Sequence, residues 1–153
     1  MMVEPHWTAY VSAMTLPVIA AFGAWIAFKQ WQTNQRKLQL ELFEKRYAIY
    51  FSAKEFVSNI LRSGSYENLD LVEFLQETRQ AKWILSSEIQ NFLEKEIYHK
   101  AIDLQMYEFQ LKDLGVGDDR TEKVRASTEI KKQLLKIHEP MDKLFERYLQ
   151  LKH

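Results

Sequence analysis

The sequence predicts an all-α protein: an N-terminal transmembrane helix continuing into a cytoplasmic antiparallel helical bundle of about four helices. Three observations predict it. No Asp, Glu, Lys or Arg occurs between Glu4 and Lys29. Beyond that stretch, apolar residues recur at helical spacings of three, four and seven. The 153 residues include only four Gly and three Pro, which leaves few positions for the turns of a strand-rich fold.

The uncharged stretch from Trp7 to Phe28 is about 22 residues long and, at roughly 1.5 Å per residue, covers about 33 Å, the thickness of a bilayer's hydrocarbon. Val11, Leu16, Val18, Ile19, Phe22, Ile26 and Phe28 each favour insertion by about 0.3–0.6 kcal/mol, whereas one central charge costs about 2.5–3.5 kcal/mol. The absence of charge is therefore the deciding feature. Trp7 and Tyr10 at one end, and Trp25, Lys29 and Trp31 at the other, fall where amphipathic side chains favour a membrane interface. A buried helix of a soluble protein is the alternative, but few such helices are uncharged all round over this length. A cleaved signal peptide is disfavoured, because "MMVEPH" has no basic n-region and the apolar stretch is too long.

Orientation follows from charge asymmetry. Glu4 precedes the stretch with no Lys or Arg, while Lys29, Arg36, Lys37, Lys45 and Arg46 follow it. The positive-inside tendency then predicts a short external N-terminus (1–6), a span (7–28) and a cytoplasmic helical domain (29–153). The lack of cysteine is compatible with a reducing compartment. Within the span, Ala13, Pro17, Ala20, Ala24 and Ala27 alternate at spacings of four and three, placing small surfaces on one face where helices of an oligomer can approach closely. Thr8, Ser12 and Thr15 add a polar stripe that either bonds its own backbone or faces a partner helix or pore.

The first helix of the domain needs no break from the span, since neither Pro nor Gly occurs between Phe28 and Gly64. Its predicted stripe is Leu38, Leu42, Ile49, Ala53, Phe56 and Ile60, with Gly64 as its stop. Asp70 and Glu73 predict a capping box for a second helix of about 15 residues carrying Leu71, Phe74, Leu75, Trp83 and Leu85. Ser87 and Gln90 predict the same for a third, running from Glu88 towards Leu114 with Ile89, Leu93, Ile97, Ala101, Leu104 and Leu111 on one face. "GVGDD" ends it. The fourth starts near Thr121, carries Ile130, Leu134, Ile137, Met141, Leu144 and Tyr148, and is expected to kink at Pro140.

Lys+Arg and Asp+Glu both number 21, so the chain as a whole lacks the electrostatic signature of a nucleic-acid binder. Glu96 and His99 form a single E-x-x-H, a spacing that suits one metal ion, but di-iron bundles use a pair of such motifs plus further carboxylates. No metal or cofactor is expected. His138 falls on the line Leu134, His138, Met141, Phe145, which predicts a hydrogen-bonded core histidine. No nucleophile elbow, catalytic cysteine or phosphate-binding loop is present, and no enzyme activity is expected. Arg46 sits on the apolar stripe between Leu42 and Ile49. It must pair with an acid, stack on an aromatic ring or snorkel to the edge, and is the candidate for fixing register across a helix interface.

The segment "WQTNQRKLQLELFEKRYAIY" just after the span, with its K-L-x-L-x-L-F-x-K-R pattern, resembles the signature of an uncharacterised family of small bacterial single-span inner-membrane proteins. The resemblance implies a bacterial inner-membrane location and an all-helical tail, and supplies no catalytic residues. The function expected is that of a non-enzymatic, membrane-anchored interaction or oligomerisation module. Its partners are the lipid bilayer and either further copies of itself or a protein bound by the cytoplasmic bundle. The alternative is an oligomeric membrane-perturbing or pore-forming effector of the phage-defence or toxin kind.

Overall fold

A computed structural model describes residues 7–150, with the side chains of all of them except 7–14, 16 and 113. Among the described residues the chain is helical throughout and contains no strand. The expected external segment 1–6 lies outside them.

Helix α1 covers Trp7–Ser63 without a break, Pro17 included. The chain divides into two compact units, Met1–Glu41 and Leu42–His153. In the first, the side chains of α1 are exposed almost without exception. Among the described residues no helix is long and apolar enough to cross a membrane. The described side chains of the uncharged stretch begin only at Thr15, and charge returns at Lys29. A helix over 7–28 is therefore supported, and a span over 7–28 is not.

The second unit is a helical bundle. Helix α1 ends because Gly64, at φ +79°, takes the left-handed conformation that closes a helix, its N–H donating to the Ile60 carbonyl at 2.8 Å. Helix α2 (Asn68–Thr78) starts earlier than expected, and its capping box is Glu67 with Asp70 rather than Asp70 with Glu73. The Glu67 N–H donates to Asp70 Oδ2 at 3.0 Å. The predicted second helix is in fact two, since α3 (Ala81–Ile84) follows as a separate turn on which Trp83 is 82% exposed rather than core. Ser86, not Ser87, caps α4 (Ser87–Phe92), accepting from the Ile89 N–H at 3.2 Å. A π-helical segment, Leu93–Tyr98, joins α4 to α5 (His99–Asp113).

After "GVG", α6 (Asp118–Leu135) returns antiparallel to α5, shown by Arg120 donating to the Leu111 and Leu114 carbonyls at 2.8 Å and Lys131 to Glu108 at 2.8 Å. The expected kink falls just before Pro140: α6 ends and α7 (His138–Glu146) begins across Lys136 and Ile137, which keep right-handed helical dihedrals in a tightened turn, with Pro140 in the first turn of α7. In a continuous helix Pro140 would bond the Lys136 carbonyl, but it has no N–H and its ring collides with that carbonyl, so the chain turns at Lys136 and Ile137.

One core holds the unit. Ile49, Ala53, Phe56, Val57 and Ile60 of α1 meet Phe74, Ile89, Leu93, Ile97, Leu104, Leu134, Met141 and Phe145, all 3% exposed or less. Each large side chain so buried contributes about 1.5–3 kcal/mol. The predicted α1 stripe becomes core only from Ile49 onward, for Leu38 and Leu42 are 51% and 37% exposed. Phe56 stacks on Phe74 at 4.7 Å, fixing α2 to α1, and Tyr50 lies against Phe145 of α7 at 5.4 Å.

Candidate functional site

In the first unit the pattern of side-chain size is the main feature. Val18, Ile19, Phe22, Trp25, Ile26 and Phe28 are between 47% and 69% exposed. At about 100° per residue these bulky groups occupy one half of the helix, and Ala20, Gly23, Ala24 and Ala27 the other. Pro17 falls beside that small face. Trp25 and Trp31 are each 59% exposed, and Lys29 is exposed with them. The side chains of Trp7, Tyr10 and Ala13, the remaining interface and packing candidates, lie outside the described residues. This half of α1 thus presents a bulky apolar face and a small-residue face, both uncovered.

Arg46 does not meet an acid. Its Nε donates to the Ile84 carbonyl at 3.3 Å and its Nη1 to the Tyr148 carbonyl at 3.4 Å. Both acceptors stand where helical bonding ends, at the last residue of α3 and just past α7, where carbonyls lack helical donors and carry the negative end of the helix dipole. One half-buried guanidinium on α1 therefore joins separate parts of the chain, a use of arginine's planar fork that an ammonium does not reproduce.

The other candidates separate. Glu96 accepts from Lys100 at 2.6 Å, while His99 Nε2 lies 4.0 Å from Glu94, so the E-x-x-H pair is divided between different partners. The π-helical segment also shifts the register that would place them on one face. Among the described residues no group of three or more His, Asp or Glu stands close enough to hold a metal ion. His138 is half-buried as expected, but its Nδ1 is buried with no hydrogen-bond partner. Nearby, Lys54 donates to the Tyr50 hydroxyl at 2.9 Å, and that hydroxyl donates to Asp142 at 2.8 Å. The bond to Tyr50 is the main reason the Lys54 pKa is raised above 10.5.

A cleft of about 390 Å³ between α1 and α2 was not singled out from sequence. Phe56 and Phe74 line its floor and Phe51 its edge, and its rim is Glu55 of α1 with Asp70, Glu73 and Glu77 of α2. The spacing of three and four among the α2 acids is the signal that could have revealed one acidic helix face. Its juxtaposition with Glu55 and an aromatic floor needs the folded hairpin. No protein-family model, no curated protein and no solved structure matches the chain.

Proposed function

We propose that this protein is a non-enzymatic, membrane-anchored helical module that self-associates or recruits a protein partner through its bundle. The uncharged stretch 7–28 is its anchor, with the N-terminus outside and residues 29–153 in the cytoplasm of a bacterial cell. The observation that carries the reading is the uncovered apolar surface of α1, where Val18, Ile19, Phe22, Trp25, Ile26 and Phe28 are all at least 47% exposed with no charge among them. In water that area is unfavourable by about 25 cal/mol per Å². A bilayer covers the bulky face, and a second span packs on the small one.

Absence of cysteine makes topology directly testable. A single cysteine at Glu4 is expected to react with a membrane-impermeant maleimide in intact cells. One at Ser87 is expected to react only after permeabilisation. Recovery of the chain in the soluble fraction without detergent sinks the anchor, and the opposite labelling pattern sinks the orientation. The pore-forming reading is favoured by Thr8, Ser12 and Thr15 on the same stretch. It predicts growth arrest and membrane depolarisation on overexpression, which a plain module does not cause.

A further inference from the structure

We infer that the cleft between α1 and α2 docks a basic amphipathic helix of a partner protein. This names the partner chemistry of the interaction module proposed above, and rests on that reading. Phe56 and Phe74 are buried at 3% and 2% exposure, but Phe51 at the cleft's edge is 51% exposed. It ends a ladder along α1 in which Phe43 stacks on Tyr47 at 6.1 Å and Tyr47 on Phe51 at 6.2 Å. Tyr47 is itself 46% exposed, so a continuous aromatic strip runs into the cleft with nothing over it. From Phe43 to Asn59 the strip and cleft extend about 24 Å, the length of several helical turns.

Charge selects what covers it. No Lys, Arg or His lines the cleft. Asp70 is engaged by the Glu67 N–H, whereas Glu55, Glu73 and Glu77 have no ion-pair partner among the described residues. Some acids elsewhere in the same unit are neutralised locally, as Glu96 is by Lys100, Glu108 by Lys131 and Glu139 by Lys143. Others, such as Glu44, Asp103 and Glu146, stand without an ion pair among the described residues. What sets the cleft apart is the gathering of its acids around aromatic side chains. An unneutralised acidic rim around an aromatic floor attracts a surface that is both cationic and apolar, and speeds its encounter. The acids along α2 extend about 10 Å, which suits a row of Lys and Arg rather than one chelated cation. Anionic lipid headgroups are repelled by the same rim. With helical walls on both sides and no open strand edge, the fitting ligand is a helix with bulky apolar anchors at i, i+3 and i+4 flanked by basic residues.

Calorimetry tests this on the full chain in zwitterionic lipid nanodiscs, with empty discs as the blank. The probe is a short amphipathic Leu/Lys helical peptide, and its Leu/Glu counterpart is the control. The Leu/Lys peptide is expected to bind in a salt-sensitive manner and the Leu/Glu peptide not at all. The triple variant Glu55→Gln, Glu73→Gln, Glu77→Gln is expected to weaken binding about tenfold or more and to flatten its salt dependence. Phe51→Ala, at an exposed position that does not endanger folding, is expected to weaken it several-fold. Equal binding by wild type and both variants overturns the proposal. So does a change in oligomer mass in the variants, which assigns the cleft to a second copy of this chain. No binding of the Leu/Lys peptide by a wild-type chain that is membrane-bound and oligomeric defeats the cleft alone. A monomer that washes off membranes defeats the broader reading.

Discussion

Arg46 shows how a sequence anomaly becomes a structural device. A guanidinium on an apolar stripe announces that it needs acceptors, and the sequence offers acids, rings or solvent. The fold supplies backbone carbonyls at two helix ends instead, which satisfies the cation, the costlier group to leave unpaired, and gives those carbonyls a donor at the same time. Arg46→Ala leaves the Ile84 and Tyr148 carbonyls without this donor and is expected to cost about 1–2 kcal/mol, a drop in Tm of roughly 3–8 °C. Arg46→Lys recovers only part, since one ammonium cannot reproduce the fork. Thermal unfolding of the three proteins checks this, and an unchanged Tm in the alanine variant removes the bridging role. His138 teaches the converse. Its place on the core line was readable, but its expected hydrogen bond is not made at Nδ1, since that depends on which groups the neighbouring elements bring to the ring and not on the line itself.

At the scale of elements, the π-helical segment is the clearest case of a pattern whose meaning needed the structure. Ile89, Leu93, Ile97 and Ala101 are all buried and succeed one another in steps of four. In an α-helix each such step overshoots a full turn by about 40°, so the series drifts off the core by about 120°. Winding more slowly over Leu93–Tyr98 keeps it on one face. Deleting the exposed Lys95 converts those spacings to four, three and four, with Leu104 a further three along, which an ordinary α-helix satisfies. The deletion is expected to change stability by less than about 1 kcal/mol. Deleting the equally exposed Asp103 rotates the rest of α5 by about 100° and is expected to unfold the domain. Circular dichroism melts of both decide it, and equal damage from the two deletions contradicts this account. Helix starts were legible to within one to three residues, for Ser87 stands next to the true cap Ser86, Asp70 three residues past the true cap Glu67, and Thr121 three past the start of α6 at Asp118. Their places in the motifs were not, since several adjacent residues can serve as a cap and packing selects among them.

For the whole molecule, the open question is what covers the apolar surface of α1. If copies pack through the small-residue face, the full chain in mild non-ionic detergent is a defined oligomer by light scattering. Ala20→Phe with Ala24→Phe is then expected to reduce it towards a monomer, and Phe22→Ala, on the bulky face, to leave it unchanged. A monomeric wild type makes this stretch no more than an anchor. By itself the sequence determined the all-helical class, the continuity of the first helix to Gly64 and most of the core, because these rest on local periodicity and on residues whose chemistry stops or starts a helix. Only the tertiary structure decided that Leu38, Leu42 and Trp83 stay outside the core, that Pro140 divides the last helix, and that Glu55 joins the α2 acids around an aromatic floor. Such features arise from residues distant in sequence competing for the same space, and no local pattern records which of them prevails.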